Sequence, residues 1–257
     1  MKPILVLLCL LLASSSALCQ KMETLKIAIY DFRPHVFVDA GETVPTGAAI
    51  EFLTETLDID GQYQIQWVVS PFSRFLADMK SGKADMGIFL AKTPDREQSF
   101  RYSDHSIFTT DSGIILPKDV AFTDLKSIKG QVLGHTQGSV EPDYFKGTEI
   151  KFDRLSGEDV IERNLRRLKL HRIDGVYVPT FSNGEFLLKK LSMEDQFKIV
   201  KIPNTSLELY FVFRKDIDAK TFTTINDLLN KHRTAYTALL EKFMSQQKTA
   251  AVKPGPK

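Results

Sequence analysis

Arg96 stands in a short T-P-D-R segment directly after ADMGIFL, which reads as a buried strand. In an open α/β sheet, ligands collect in the crevice outside the carboxyl ends of the strands, so this segment sets a guanidinium where a small molecule would lie. The rival reading is a surface ion pair with Asp95 or Glu97, because exposed charges often merely pair. Bond-making chemistry finds less support. The histidines His35, His105, His135, His171 and His232 are scattered, with no i, i+4 pair and no cysteine partner, so no metal site is expected. The chain has no G-x-S-x-G elbow and no phosphate-cradling P-loop. No cofactor is expected.

The first nineteen residues read as a secretory signal peptide. Lys2 gives a positive start, Ile4 to Ala13 are apolar but too few to span a bilayer, and the small residues Ser14 to Ala17 follow. Cleavage is expected before Leu18 or before Gln20; the alternative is an uncleaved membrane anchor. Leu18, rather than a small residue, precedes Cys19, so a lipoprotein site is not expected. Both cysteines, Cys9 and Cys19, fall in this segment, which leaves the mature chain without thiolate chemistry or a disulfide framework. Taking Lys2 from the 34 basic residues leaves 33 against 32 acidic ones, too even to attract nucleic acid or anionic lipid. Roughly 235 residues allow one large domain or two lobes, and the mature chain is expected to be a soluble monomer in the periplasm.

Positioning Arg96 requires a scaffold, and the pattern supplies one. LKIAIY alternates as a strand and ends at the D-F-R-P turn. Ile50, Leu53 and Leu57 mark a helix, and QIQWVV a second strand. Ser70 sits where an N-cap belongs, Pro71 at the first helical position, and Phe72, Phe75, Leu76 and Met79 form the buried face of that helix. The second half continues with SGIILPK, QVLGH, a helix from about Gly138, a strand near Ile150, a helix from Gly157 to about Leu170, then IDGVYV, FSNGEFLLKKL and QFKIVKI. Repeated β-α units imply mostly parallel sheets flanked by helices. A dozen or so strands exceed one compact open sheet, and polar extended stretches near Ile107 to Ser112 and Pro203 to Glu208 read as paired crossover strands. The expected layout is a discontinuous lobe 1 (residues 24–108 and 209–246) and an inserted lobe 2 (109–208), joined by a hinge. A single irregular α/β sheet is the alternative. Residues 247–257 lack apolar content and are expected to be disordered.

LKIAIYDFRP, PFSRFLADMKSGKAD, TPDR, DLKSIKGQVLG and the later R-I-D-G strand stand in an order and spacing that resemble the family-3 extracellular solute-binding proteins, from about Leu25 to Phe243. The resemblance implies the two-lobed type II periplasmic binding protein fold. It also implies capture of a small carboxylate-bearing solute, an amino acid or related organic acid, in an interlobe cleft for a membrane ABC permease or sensor. By that resemblance Arg96, in the loop opened by Thr93, forks onto the ligand carboxylate, a geometry that a planar guanidinium suits and lysine does not. Phe32 and Phe72 are the implied aromatic walls. Gly138 with Ser139 is the implied anion nest at a helix start, an ordinary strand-to-helix turn being its alternative.

Departures from the family pattern bear on the ligand. Phe89, Leu90 and Ala91 stand where amino-acid binders present serine or threonine, and Val140 follows the nest where threonine is common. Pro179 occupies the place of the aspartate that pairs with a ligand's α-ammonium. Burying an ammonium without a carboxylate costs several kcal/mol, roughly, so a carboxylate with an apolar body is expected instead. Asp31, Tyr177, Glu185 and Glu208 are the candidate replacements, and Tyr177 joins the expected site. Arg74 adds a second positive group at the cleft or is a solvated first-turn residue. The rival function is an enzyme on the same fold, a cyclohexadienyl dehydratase-like lyase, with Glu185 or Glu208 as its acid.

Overall fold

A computed structural model of the chain describes residues 23–38, 44–57 and 63–250. The expected signal peptide and residues 251–257 of the expected tail lie outside these. Among the described residues, eleven strands form two mixed sheets with helices packed on them.

The first sheet begins with β1 (Glu23–Ile29), β2 (Tyr63–Val69) and β3 (Met86–Ala91), all parallel, with β1 central. All six residues of β3 are buried, as an apolar run covered on both faces requires. Between these strands run α1 (Ala48–Leu57) and α2 (Phe72–Lys80). α1 buries Ala49, Ile50, Phe52, Leu53 and Leu57 at helical spacing. α2 drives Phe75 and Met79 onto the sheet, and Gly87 of β3 makes the room: a Cβ there would lie 2.8 Å from the Phe75 ring. Pro71, rather than Ser70, holds the cap position of α2, while the Ser70 N–H donates to the Ile29 carbonyl at 3.1 Å.

Beyond β3 the T-P-D-R segment opens a short helix, α3 (Pro94–Ser99), with Pro94 at its first position. β4 (Phe100–Tyr102) and β5 (Phe108–Thr110) follow. The chain then crosses to the second sheet: β6 (Gly113–Pro117), β7 (Val132–Thr136), β8 (Lys151–Leu155), α4 (Val160–Lys169), β9 (Gly175–Val178), α5 (Phe181–Lys190) and β10 (Phe197–Lys201). It returns through β11 (Leu207–Arg214), which completes the first sheet, and ends in α6 (Ala219–His232) and α7 (Ala235–Ala250). α7 therefore takes in the first four residues of the tail read as disordered.

Strand order is β2-β1-β3-β11-β4 in the first sheet, with β5 also on β11, and β10-β6-β9-β7-β8 in the second. Each sheet keeps three parallel strands and adds antiparallel ones where the chain crosses over, β11 in one and β6 in the other. The two crossover segments pair as expected, with Leu207 opposite Thr110 and Leu209 opposite Phe108. The Ser112 N–H donates to Thr205 Oγ1 at 3.1 Å, and the Ile202 N–H to the Ser112 carbonyl at 3.0 Å.

One expected element is absent. Instead of a helix from about Gly138, a turn closes from the Thr136 carbonyl to the Ser139 N–H (3.1 Å), and one turn of 3₁₀ helix spans Asp143–Phe145. Pro142 and Gly147 bracket too few residues for a longer helix. Asp85 and Asp174 prove structural and equivalent: each accepts from the first part of a neighbouring strand, Asp85 from the Lys26 N–H at 3.0 Å and Asp174 from the Val132 N–H at 2.7 Å. Among the described residues, no helix is long and apolar enough to cross a membrane.

Candidate ligand cavity between the two sheets

A cavity of about 580 Å³ opens between the sheets, within the ordinary size range of small-molecule sites. Ends of β1, β3 and β11 and the start of α2 line it from one side; the β7 turn, the start of α4 and the start of α5 line it from the other. Arg96, Phe32, Phe72, Arg74 and Ser139 all reach it, which brings together residues more than a hundred positions apart in the chain.

Arg96 is partly buried in its wall. Its Nη1 donates to the Ala91 carbonyl at 3.1 Å and its Nη2 to the Gly138 carbonyl at 2.9 Å, so the side chain ties one sheet's edge to the other's. Among the described residues no carboxylate pairs with it, and neither Asp95 nor Glu97 does so. Burial lowers its pKa from the ordinary arginine value, but a guanidinium stays charged in proteins. Three of its five N–H donors are left for other partners.

Phe32 and Phe72 line the cavity, and both pack on Tyr30, at 5.5 and 4.9 Å between ring centroids. Tyr30, which sequence reasoning missed, donates its hydroxyl to the Phe89 carbonyl at 2.9 Å, and burial pushes its pKa well up, so it remains a neutral phenol. That carbonyl belongs to a residue with φ of +43°, a backbone conformation unusual for a bulky side chain. It lies beside the register break between β3 and β11 at Tyr210 and Val212. Phe89, Leu90 and Ala91 thus bring an aromatic ring, a strained backbone and an apolar wall to the cavity.

Other expected site residues lie elsewhere. Thr93 caps α3, its hydroxyl accepting from the Arg96 N–H at 3.4 Å, and does not line the cavity. Tyr177 is buried in the core of the second sheet, with its hydroxyl 3.0 Å from that of Tyr144 and 3.3 Å from Ser112 Oγ. Its ring packs against Phe145 and Phe152, and it is not among the residues lining the cavity. Gly138 keeps its positive φ of +84°, where a Cβ would meet Leu76 at 3.2 Å, but it offers Arg96 a carbonyl. No helix starts there, and the Ser139 N–H is spent in the turn. Arg74, 66% exposed, is bound to Asp78 at 2.9 Å and stands at the rim. Glu185 and Glu208 do not line the cavity, and Glu208 accepts from the Tyr210 hydroxyl at 2.7 Å.

Asp31 does line it, paired with Arg33 at 2.9 Å. Burial raises its pKa, and the Arg33 charge opposes that rise. Asn183 and Asp159, neither foreseen, reach the cavity from the second sheet's side. A signal for Asn183 was available: an amide in the first turn of the helix after the R-I-D-G strand.

Comparison with known proteins agrees with this architecture. A family model described as bacterial extracellular solute-binding proteins, family 3, matches residues 25–250. Comparison with curated proteins gives no match. Among solved structures, the substrate-binding protein of an amino-acid ABC transporter aligns with a TM-score of 0.71 at 16% identity, over 86% of this chain and 99% of that one. A Salmonella typhimurium periplasmic binding protein described for high arginine specificity aligns with a TM-score of 0.69 at 22% identity, over 86% and 98%. An ancestral amino-acid-binding protein, described as a precursor of cyclohexadienyl dehydratase, aligns at 0.69 and 19%, over 86% and 94%. At such identities these likenesses speak to the fold.

Proposed function

The chain belongs to the bacterial extracellular solute-binding proteins of family 3, and on that premise we propose that it captures a small carboxylate-bearing solute in the cavity between its two sheets. The observation that carries this reading is Arg96: a partly buried guanidinium, met by two backbone carbonyls and by no carboxylate among the described residues, in a wall shared with Phe32, Phe72 and Tyr30. A charge held this way is stabilised further by a bidentate anion. The lobes, about 24–108 with 209–246 and 109–208, close on the solute about the paired crossover strands. Closure presents a changed surface to a membrane ABC permease or sensor, and a solute touching both lobes shifts that equilibrium by its differential affinity. The chain works in the periplasm after loss of residues 1–19.

The two acids nominated for a lyase, Glu185 and Glu208, stand outside the cavity, so neither supports that reading. Binding is therefore the reading we hold. A thermal-shift screen of amino acids, keto acids and aromatic acids tests it. A solute at a hundred times its Kd adds about 2.7 kcal/mol to stability. A screen in which no carboxylate shifts the transition, or in which the best hit acts equally on Arg96→Ala, refutes the assignment.

A further inference from the structure

The outer edges of the two sheets are not alike. Beyond β11 in the first sheet, β4 and β5 have three residues each, and β4 carries Arg101. In the second sheet, the edge strand β8 carries Lys151, Asp153 and Arg154, and β10 at the other end carries Lys198 and Lys201. Short length and charged side chains keep an edge from pairing with another chain. β2, the remaining edge, has neither. Its seven residues, YQIQWVV, hold no charge and no proline. It pairs with β1 over its whole length, from Glu23 opposite Tyr63 to Ile29 opposite Val69, without the bulge that would twist an edge away. Among the described residues no other strand pairs with it.

Alternation sorts the side chains of β2 by face. Tyr63, Ile65, Trp67 and Val69 share one face; Gln64, Gln66 and Val68 share the other. Ile65, Trp67 and Val68 are only partly buried against the core, and Gln64 and Gln66 are exposed. Val69, where the strand reaches the mouth of the cavity, is 46% exposed. This order is self-complementary about a two-fold axis through Gln66. In an antiparallel pairing centred there, Tyr63 stands opposite Val69 of a second copy, Ile65 opposite Trp67, and Gln64 opposite Val68. All seven residues are then used, and every apolar side chain on the first face meets another. Aromatic side chains set against β-branched ones are among the pairs that favour sheet association.

We propose that β2 is the contact through which two copies of this chain pair, edge to edge and antiparallel, so that their first sheets become one. A second copy is the occupant that fits, because the strand's own sequence supplies the matching row and neither side brings a charge to be buried. Seven residues a side fall short of the roughly 20–30 a side of a standard interface, so the dimer is weak and the monomer expected of the chain is its dilute form. The inference is independent of what the cavity binds.

Sedimentation equilibrium of the mature chain from Gln20 over roughly 5 to 500 μM tests the pairing, with a reversible monomer–dimer equilibrium expected in that range. Trp67 is the chain's single tryptophan, and its emission is expected to shift to the blue as the dimer forms. Gln66→Lys, at an exposed position, sets two like charges opposite each other on the axis. It is expected to weaken dimerisation by about fivefold or more and to leave the urea midpoint unchanged. The chain from Gln20 holds no cysteine, so cross-linking reads the register. Gln66→Cys brings two thiols within disulfide reach across the axis, whereas those of Gln64→Cys stand roughly 13 Å apart along the strands. Rapid oxidation to a covalent dimer is expected of the first variant and not of the second. A chain that stays monomeric throughout overturns the proposal and leaves the edge to an extended segment of another protein. Dimerisation unmoved by Gln66→Lys overturns the assignment to β2, and equal cross-linking at both positions overturns the antiparallel register.

Discussion

Replacing Arg96 by alanine separates its role in the site from its role in the fold. The guanidinium spends two donors on the Ala91 and Gly138 carbonyls and has enough left to fork onto a carboxylate without giving up either. Hydrogen bonds to charged groups contribute about 1.5–3 kcal/mol each, so losing two costs about 3–6 kcal/mol in solute binding. Partial exposure argues for the lower end, a loss of about a hundredfold. Stability should respond differently. The substitution removes a partly buried charge that no carboxylate among the described residues offsets, which is favourable, and it frees two carbonyls at a solvent-accessible cleft, which costs little. The unfolding free energy of the unliganded protein should therefore change by no more than about 1 kcal/mol. Arg96→Lys keeps the charge and loses the fork, so its affinity should fall between the two. Titration calorimetry with the best solute from the screen, together with urea unfolding of each unliganded variant, gives both numbers. Affinity within threefold of the parent would refute the role of Arg96 as anion holder; an unfolding loss of about 3 kcal/mol or more would make it a structural residue.

Tyr177→Phe removes a hydroxyl from the Tyr144–Ser112 network and should cost about 1 kcal/mol of stability while leaving solute affinity unchanged; weakened binding would return Tyr177 to the site. Phe75→Ala empties a fully buried position against Gly87 and should destabilise by about 3–5 kcal/mol in urea unfolding, with a smaller loss pointing to collapse of Phe72 into the space. Burial depresses the pKa of His35 to about 3, below the unfolded value near 6.5, so the unfolded chain binds the extra proton between those limits and stability falls as pH drops through that window. His35→Phe should flatten the slope of unfolding free energy against pH by up to about 1.4 kcal/mol per unit there, and an unchanged slope would show that His35 is protonated in the fold.

The scaffold was legible because its signals are local. The apolar run of β3 and the helical spacing of Phe75 and Met79 each need only a few neighbouring residues to interpret. Arg96 was legible for the same reason, since its place follows from the strand before it. What failed were statements about which way a side chain faces once two distant segments meet. Tyr177 and Ser139 both sit near the cleft in sequence terms. Yet the tyrosine is taken up by the core against Phe145 and Phe152, and the turn at Thr136 uses the serine's N–H. Asn183 and Asp159 are ordinary polar residues at helix starts until the fold brings both to the cavity wall and sets Asn183 against the Arg33 carbonyl. Which cavity such a residue reaches is set by segments distant in the chain, and no local pattern records that.

Three arginines around the cleft make the same point in energetic terms. Arg33 is almost wholly buried and meets Asp31; Arg74 is mostly exposed and meets Asp78, which it shares with Lys83 at 3.3 Å. Burying a charge is costly unless a counter-charge or a full set of hydrogen bonds offsets it, and these two are offset within the fold. Arg96 is not. Its carbonyl partners supply dipoles rather than a charge, and they come from both sides of the cleft, so the deficit sits at a point where the two halves meet. A fold selected for stability alone would remove such a residue, since large uncompensated costs are readily relieved by mutation. On the reading proposed above, an anion that enters the cleft would supply the missing charge, and would do so only while both walls are in place. The arrangement at Arg96 would then couple binding to closure.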